Sequence, residues 1–354
     1  MRDRVRELMD KLPENMDGAL ISGGKVLKYF TGVNSEVLLV SKKKSYLFTY
    51  ENQLSHGNQE RSFEVVPIIC LSKQIKNFVK YLGLKLIGVD SEKITLSQCI
   101  KYEAFFGGAK IVRDNRISFI IKDIRRKKDA EEVEFIATAQ RFAEKAFDDI
   151  LNFIKPGVTE REIAARLSYI MYISGSEGDS FAPLVSTGTN TAQIHSIPSN
   201  KPVKEGDFVM MDYGATYNGY CSDMTRTVAV GRADEEMQRI YSIVLQAQNT
   251  AISAITPGIR CKDIDAVARD YFANQGYSDY FPHTLGHCVG LDLHEMPFLS
   301  PNSMINRCHA GDVTTVEPGL YIEGKFGVRI EDMIFIGENK NINLTKADKK
   351  LIIV

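Results

Sequence analysis

The segment MDYGATYNGYCSDMTRT, residues 211–227, decides how the second half of this chain is interpreted. Asp212 follows the apolar run 208–211, and Asp223 precedes the β-prone run 225–230, with a glycine-containing turn between the two acids. Burying a carboxylate in an apolar strand costs several kcal/mol of desolvation free energy unless a positive charge compensates it. The apolar runs contain no lysine, so the segment predicts acids that a bound cation neutralises.

A repeat in the sequence doubles this arrangement. Residues 155–175 and 256–276 both contain Pro-Gly, an amphipathic helix pattern and a terminal glycine, with Ile163 and Ile264 in the same place. Downstream of each, a histidine opens HSIP or HEMP, and a Gly-Asp pair precedes an acid-x-Gly triplet, DYG or EPG. A second acid follows each triplet, and a pseudo-twofold fold would bring all four acids together. These acids are Asp212, Asp223, Glu317 and Glu331.

Four clustered acids favour a site for two divalent metal ions. Like charges held together raise the pKa of some carboxyls unless cations neutralise them, and four negative charges balance two divalent ions. Oxygen-rich ligands with one or two imidazoles favour manganese (Mn2+), with Co2+, Fe2+ or Zn2+ as alternatives, over a thiolate zinc site. Such a pair of ions lowers the pKa of a bridging water, so the cluster predicts hydrolysis.

Histidines are concentrated in the same region. Three fall within one short segment, HTLGHCVGLDLHEMP, where Gly286 and Gly290 permit close backbone approach, and this density favours a site over structural histidines. His56 and His309 stand apart and are expected at the surface. The four histidines of the repeat are His195, His283, His287 and His294.

Length and composition predict a two-domain globular protein. At 354 residues the chain exceeds the usual single core, and we expect a small α/β domain at 1–122 and a second domain at 123–354. The 44 basic and 45 acidic residues argue against nucleic acid as a partner. The charged N-terminus lacks an apolar signal region, and no run approaches the roughly 20 apolar residues of a membrane span, so a cytoplasmic location is expected.

Two further features of the sequence carry no functional assignment. The six cysteines contain no CxxC pair, which favours reduced, mostly buried thiols over a zinc knuckle or a disulfide framework. Residues 125–128, Arg-Arg-Lys-Lys, precede a long amphipathic helix pattern and are expected to form a solvated linker or an interdomain contact rather than an anion-binding patch.

The motifs DYGATYNGYCSDMTRT, HTLGHCVGLDLHE, VEPG and GVRIED, in this order, resemble the pita-bread metallopeptidases, the family of methionine aminopeptidase, prolidase and aminopeptidase P. The resemblance covers roughly residues 130–350, and the preceding domain resembles the creatinase-type domain of the proline-specific members. It implies an α/β (α+β) fold, and a homodimeric, metal-dependent exopeptidase that cleaves the Xaa-Pro bond of short peptides with proline second, as an aminopeptidase or a dipeptidase.

The same resemblance implies roles for individual residues. Asp212 and Asp223 would bind one metal ion, and Asp223, His287, Glu317 and Glu331 the other, with Asp223 and Glu331 bridging the two ions. All five positions are filled in this sequence. Glu317 would also act as the general base that moves a proton from the attacking water to the leaving amine.

The substrate would be held by residues outside this ligand set. His195, His283 and His294 match positions that bind the substrate and stabilise the oxyanion, a contribution of roughly 3 to 4 kcal/mol for one good donor. Arg329 either orients a metal-binding carboxylate or lies on the strand surface, and both alternatives remain open. Tyr213 is expected to form part of the site wall.

Two positions depart from the family pattern. Cys288 stands where the family usually has glycine after the metal histidine, and we expect a buried, inert thiol, with a ligand or redox role as the alternative. Phe298 stands where some dipeptide-specific prolidases have an arginine that pairs with the substrate carboxylate, which allows longer substrates. An arginine from the N-terminal domain or from a neighbouring chain in its place is the alternative.

Two other functions remain as alternatives. A pita-bread protein without catalysis could act as a peptide- or protein-binding module, and a creatinase-like hydrolase could work without metal. The complete set of acids and the histidine favours the metal-dependent peptidase over both alternatives.

Overall fold

The computed structural model describes residues 2–50, 62–303 and 306–354. The chain divides into two compact units, Met1–Arg125 and Arg126–Val354. The boundary that the sequence indicates, between 122 and 123, remains a prediction. His56 lies outside the described residues, and His309 is exposed.

The first unit is an α/β domain built on a mixed sheet. Its helices are α1 (Arg4–Lys11), α2 (Gly24–Thr31), α3 (Leu71–Leu82), α4 (Leu96–Phe105) and α5 (Arg116–Arg126). Its strands are β1 (Gly18–Ser22), β2 (Val37–Ser41), β3 (Ser45–Thr49), β4 (Glu64–Pro67), β5 (Leu86–Val89) and β6 (Lys110–Val112).

The sheet of this unit has the order β4-β3-β2-β1-β5-β6 within the described residues. β1, β2 and β3 pair antiparallel, and the outer pairs are parallel. β2 and β3 are buried along their whole length, as their nearly continuous apolar sequences require. The first five strands coincide with short β-prone runs of the sequence, such as GALIS at 18–22 and KLIGVD at 85–90.

The second unit consists of four longer helices and several short antiparallel sheets within the described residues. Its helices are α6 (Ala130–Ile150), α7 (Glu160–Ile173), α8 (Glu235–Ala254) and α9 (Cys261–Asn274). Its first strands are β7 (Gly178–Asp179), β8 (Leu184–Thr187), β9 (Phe208–Tyr213), β10 (Ala215–Tyr217), β11 (Tyr220–Cys221) and β12 (Met224–Ala229). Its later strands are β13 (Gly286–Cys288), β14 (Glu295–Leu299), β15 (Val313–Val316), β16 (Gly319–Ile322), β17 (Phe326–Arg329), β18 (Asp332–Phe335) and β19 (Ile342–Asn343).

The second unit contains the repeat that the sequence indicates. A pair of helices precedes an antiparallel set of strands in each half: α6 and α7 before β8-β9-β12, and α8 and α9 before β13-β15-β18. Equivalent backbone contacts recur, because Gly157 N–H donates to the Val203 carbonyl (2.9 Å) and Gly258 N–H to the Cys308 carbonyl (2.7 Å). One apolar cluster lies mainly in the first half and another mainly in the second.

Local sequence explains where the helices of the repeat begin. Thr159 caps α7 in a capping box with Glu162, and Asp129 caps α6 in a capping box with Glu132. Strand β9 is apolar and buried up to Tyr213, so it brings Asp212 to the end of a rigid strand. In the second half β15 leads directly to Glu317, so the two acid-x-Gly triplets occupy equivalent strand ends.

The segment 125–128 is not the solvated linker that the sequence indicates. The Arg126 guanidinium lies 2.8 Å from the Asp312 carboxylate, and the Lys128 ammonium lies 2.9 Å from Glu295 with only 1% of the lysine side chain exposed. Lys127 is the exposed member of the segment. The solvated-linker alternative is wrong for Arg126 and Lys128, because their acidic partners are remote in sequence and cannot be recognised from a local charge pattern. The interdomain-contact alternative remains a prediction.

No helix in the described ranges combines the length and the hydropathy that crossing a membrane would require.

Candidate metal centre

A buried group of three side chains forms the centre of the candidate site. Ligand atoms of Asp223, His287 and Glu331 all lie within 4.8 Å of one another. Asp223 comes directly before β12, His287 lies in β13, and Glu331 lies between β17 and β18, so both halves of the repeat contribute. Asp212 and Glu317 border this group, and the structure therefore brings the five predicted ligands into one region.

The imidazole of His287 is held in the form that a metal ligand needs. Its Nδ1 lies 3.1 Å from the Cys288 carbonyl oxygen, which can only accept, so the proton is on Nδ1 and the Nε2 lone pair is free of hydrogen. Burial lowers the pKa of His287 to about 3, with the nearby His294 lowering it further, so the ring is neutral. Nε2 faces Asp223 Oδ2 at 3.5 Å and Glu317 Oε1 at 3.6 Å.

Asp212 is anchored by a buried arginine. Arg329 is 2% exposed, and its NH2 group donates to Asp212 Oδ2 across 2.6 Å, so its side chain is not on the strand surface. Its NH1 group donates to the Tyr321 hydroxyl (2.7 Å) and its Nε to Thr225 Oγ1 (3.1 Å). Desolvation alone would lower the pKa of Arg329, but Tyr321 and the acids Asp212 and Glu317 hold it well above its ordinary value.

Two threonines orient the acids that come from the second half. Thr225 Oγ1 donates to Glu331 Oε2 across 2.7 Å, and Thr315 Oγ1 lies 3.3 Å from Glu317 Oε1. Thr315 Oγ1 also accepts from the backbone N–H of His287 (3.1 Å), so one hydroxyl joins the histidine strand to the glutamate. Each carboxylate keeps an oxygen that these threonines do not bind.

The acids are crowded enough to resist ionisation in the absence of a cation. Burial raises the pKa of Asp223 well above its ordinary value, and the charges of Glu331, Asp212 and Glu317 raise it further. Burial likewise raises the pKa of Glu331, with Glu317 and Asp212 adding to the effect. For Glu317, burial raises the pKa to about 8 although Arg329 opposes the shift.

These residues fit divalent cations on grounds of hydrogen bonding alone. Asp212 Oδ1 and Asp223 Oδ1 are buried and accept no hydrogen bond from the residues that the structure describes, although buried polar atoms almost always find a partner. The Nε2 lone pair of His287 faces carboxylate oxygens, a repulsive arrangement unless a proton or a cation lies between them. A donor set of carboxylate oxygens and one neutral imidazole is what Mn2+, Fe2+, Co2+ or Zn2+ accepts.

The remaining predicted histidines surround this centre in different ways. The ring of His294 lies 4.2 Å from that of His287, and both His294 and His195 are exposed. Burial lowers the pKa of His294, while the charge of Asp212 raises it and that of His195 lowers it.

His283 already uses both of its ring nitrogens. Its Nδ1 lies 2.8 Å from the Thr284 carbonyl oxygen, and its Nε2 lies 2.8 Å from the Tyr321 hydroxyl. Burial lowers the pKa of His283 to about 3, and the positive charge of Arg329 adds to this, so the ring is neutral. The carbonyl fixes the proton on Nδ1, and Tyr321 therefore donates to Nε2.

Sequence reasoning missed three residues of this network: Thr225, Thr315 and Tyr321. The two threonines carry a readable signal, because each lies in a strand two positions from a predicted ligand, where side chains share a face. Tyr321 gives no such signal, since its hydroxyl reaches Arg329 and His283 only through the fold of the β16–β17 hairpin.

Cys288 and Phe298, the two positions that depart from the family pattern, lie in the paired strands β13 and β14. Cys288 is 1% exposed, and burial raises the pKa of its thiol well above the ordinary value, with Asp312 raising it further, so the thiol is protonated. Phe298 pairs with His287 across β13 and β14, and the two ring centroids are 6.3 Å apart. The side chain at this position is therefore an apolar wall beside His287.

A carboxylate-rich cluster at the junction of two repeated halves defines a metal-dependent hydrolase. The chain belongs to metallopeptidase family M24, whose profile matches residues 134–338, and residues 1–125 match the Creatinase/Prolidase N-terminal domain. The predicted fold class, a creatinase-type N-terminal domain followed by a pita-bread domain, is confirmed. The prediction that the chain is a metallopeptidase enzyme is confirmed as well.

Individual relatives match over nearly the whole chain. A Xaa-Pro dipeptidase of Pyrococcus furiosus is 34% identical over 359 residues, covering 99% of this chain and 100% of the relative. The structure of a Xaa-Pro dipeptidase from Bacillus anthracis superposes with a TM-score of 0.91 at 34% identity, over 99% of both chains. The crystal structure of an X-Pro aminopeptidase from Thermotoga maritima gives a TM-score of 0.90 at 34% identity, over 99% of this chain and 100% of that chain.

Proposed function

We propose that this protein is an exopeptidase that hydrolyses the Xaa-Pro bond at the N-terminus of short peptides, with two divalent metal ions as cofactors. The buried cluster carries the proposal: four acids and a neutral imidazole converge, and two carboxylate oxygens there have no hydrogen-bond partner in the described part of the chain. Preference for proline is supported by relatives named Xaa-Pro dipeptidase and X-Pro aminopeptidase.

The ligand set that we propose follows the resemblance in sequence. Asp212 and Asp223 would hold one ion, and Asp223, His287, Glu317 and Glu331 the other. Bound ions would supply Lewis acidity, which lowers the pKa of a water and polarises the scissile carbonyl. The oxygen-rich donor set supports manganese as the first metal to test, with cobalt, iron and zinc as alternatives.

Side chains of the protein would carry out proton transfer and bind the substrate. Glu317 would accept a proton from the attacking water and deliver it to the proline nitrogen as the C–N bond breaks. Its position supports this role, because Thr315 holds one oxygen of the carboxylate at 3.3 Å and the carboxylate borders the cluster. Without such a transfer the proline nitrogen would have to leave as a strongly basic amide anion.

Substrate contacts would come from the histidines at the mouth of the cluster. His195 and His294 are exposed and could donate to the peptide carbonyl oxygen as its charge develops. His283 could contact substrate only by exchanging the hydrogen bond that it receives from Tyr321. We therefore propose that His195 and His294 bind the substrate directly, and that His283 orients Tyr321 and Arg329 unless substrate displaces that bond.

Substrate length depends on the side chain that meets the carboxyl end of the substrate. A dipeptide presents its carboxylate next to the proline, and a bidentate arginine would be its natural partner. Phe298 offers an apolar ring at the position where the resemblance places that arginine. We propose that the enzyme accepts Xaa-Pro-Yaa tripeptides at least as well as Xaa-Pro dipeptides.

The cellular setting that we propose also rests on the sequence and the resemblance. A homodimer is expected from the family resemblance. A cytoplasmic location is supported by the free thiols at all six cysteines.

Metal-dependent hydrolysis of paired substrates tests the proposal. We expect the chelator-treated protein to be inactive on Ala-Pro and Ala-Pro-Ala and to regain activity with Mn2+ or Co2+. Asp223→Asn should lose at least about 100-fold in kcat, because the proposed bridging ligand is gone. Ala-Ala-Ala serves as the control substrate for proline preference.

Three outcomes would contradict parts of the proposal. Full activity in the presence of chelator would refute the metal requirement. Equal cleavage of Ala-Ala-Ala would refute the proline preference. Absence of any cleavage by the metal-loaded protein would support the peptide-binding alternative instead.

A further inference from the structure

A buried lysine lies behind the candidate site and has no part in the ligand set. Lys128 precedes α6, and only 1% of its side chain is exposed. Its ammonium donates to Glu295 Oε2 across 2.9 Å. Burial alone would lower the pKa of Lys128, but the charge of Glu295 holds it above the ordinary value, so the lysine is charged. A fully buried charge is retained only where a partner compensates it, and here the partner is Glu295.

Glu295 is the second residue of the HEMP motif, and its carboxylate organises the loop before it. Glu295 Oε1 accepts from the backbone N–H of Asp292 (3.2 Å), while Gly290 N–H donates to the Asp292 carbonyl oxygen (3.1 Å). A Cβ atom added at Gly290 would lie 2.6 Å from both carboxylate oxygens of Glu295. The loop therefore wraps around a carboxylate that Lys128 holds from the other side.

His294 belongs to this loop and is bonded directly to Glu295. The loop connects β13, which carries His287, to β14, which begins at Glu295. The rings of His287 and His294 are 4.2 Å apart, so a small change in the loop would move His294 relative to the candidate metal centre.

We propose that Lys128 and Glu295 are positioning residues that fix His294 in the orientation needed for hydrolysis. The inference rests on the proposed function, because it assumes that His294 binds the substrate. Lys128 itself does not touch the substrate. It neutralises Glu295, and the Glu295 carboxylate in turn fixes the loop conformation that directs His294 toward the mouth of the cluster.

The same segment offers a matched control. Arg126 lies two residues before Lys128 and forms an ion pair with a buried acid, Asp312, at 2.8 Å. Asp312 lies directly before β15, the strand that leads to Glu317, and does not belong to the loop of His294. Replacing Lys128 leaves Glu295 without its cation, and replacing Arg126 leaves Asp312 without its cation. A general loss of stability should therefore affect both variants, whereas only the Lys128 variant should lose the positioning of His294.

The test compares K128M, K128R and R126M in the full-length, Mn2+-loaded enzyme, each with and without H294A. We expect K128M to lose about 10- to 100-fold in kcat/KM on Ala-Pro-Ala, and K128R to recover most of it. In the H294A background K128M should cause no further loss beyond about threefold, because the two residues act as a unit. R126M should lower the unfolding temperature comparably, yet keep kcat/KM within about threefold in either background.

Two readouts besides activity separate this inference from the proposed function. Mn2+ affinity measured by calorimetry should be the same in K128M as in the wild type, and a crystal structure of K128M should show His294 displaced from its 4.2 Å ring separation to His287. Unchanged His294 geometry, unchanged kcat/KM in folded K128M, or an additive loss with H294A would each overturn the positioning role. A wild-type enzyme that cleaves no peptide would instead refute the proposed function, and the crystal structure would still decide the positioning of His294.

Discussion

The hydroxyl of Thr225 donates a 2.7 Å hydrogen bond to Glu331 Oε2, and the backbone N–H of Glu331 donates in return to the Thr225 carbonyl oxygen at 3.1 Å. The two residues come from opposite halves of the repeat, so this reciprocal contact joins the halves at the candidate metal centre. Both side chains are buried, at 0% and 1% exposure, which makes the contact strong and any loss of it costly.

Replacing Thr225 with valine should weaken metal binding without unfolding the protein. Valine has the same shape as threonine but cannot orient Glu331, and loss of a residue that orients a ligand typically lowers metal affinity about 10- to 100-fold. Titration calorimetry with Mn2+ measures the effect. Thr250→Val is the control, because the Thr250 hydroxyl bonds the Gln246 carbonyl on an exposed part of α8. Equal Mn2+ affinity in both variants would refute a role for Thr225.

Replacing Arg226 with methionine should destabilise the second unit strongly. The guanidinium is 1% exposed and donates to Asp332 Oδ1 and to the carbonyl oxygens of Glu331, Thr225, Ala347 and Asp348. Removing one member of a buried ion pair costs about 3–5 kcal/mol. Urea unfolding of the metal-free protein measures the loss. Arg141→Met removes an exposed pair with Glu134 and should cost about 1 kcal/mol or less, so similar losses in both variants would contradict the prediction.

The acid stability of the first unit should depend on Asp17. The backbone N–H groups of Leu86 and Lys85 both donate to Asp17 Oδ2 at 2.8 Å and hold the pKa of this carboxyl below its ordinary value of 3.8. Because the folded pKa is lowered, this stabilisation is present above the unfolded pKa and is lost as the pH falls through the folded pKa.

The variant Asp17→Asn tests this pH dependence. It should be less stable than the wild type near neutral pH, and the difference should close as the pH falls below about 4. Thermal unfolding followed across this range gives the two curves, with Asp10→Asn as the control on an exposed acid of α1. A difference that stays constant down to low pH would show that Asp17 acts through its shape and not through its charge.

Thiol reagents should label Cys70 first. It is exposed, and a backbone contact with Lys73 lowers its pKa, with Ser72 adding to this effect, whereas the other five cysteines are buried. Reactivity follows exposure and the fraction of thiolate, so iodoacetamide should modify a single thiol rapidly in the native protein. Peptide mapping by mass spectrometry identifies the site, and Cys70→Ser should abolish the rapid phase. Rapid labelling of Cys288 would contradict the inert role assigned to that thiol.

Much of the fold and of the candidate site follows from sequence patterns. The repeat, the paired acids and the histidine cluster were readable because each depends on local periodicity or on a motif with fixed spacing. Asp212 and Glu317 occupy equivalent strand ends, and the acids converge as the repeat predicted. The roles of these side chains remain predictions until metal binding is measured.

The partners of these side chains could not be read in the same way. Lys128 and Glu295 are 167 positions apart, and Arg329 meets Asp212 across 117 positions, so no local pattern links either pair. The sequence also predicts that no protein cation compensates the acids, because the apolar runs contain no lysine. Arg329 supplies that charge to Asp212, so burial of this acid does not depend on a metal ion alone.

The division of the candidate ligands between two halves, each with its own apolar core, makes this enzyme suitable for fragment complementation. A cut between β12 and α8, within residues 230–234, leaves Asp212 and Asp223 on one fragment and His287, Glu317 and Glu331 on the other. Neither fragment holds the complete cluster, so peptide hydrolysis would report the reassembly of two separately expressed pieces.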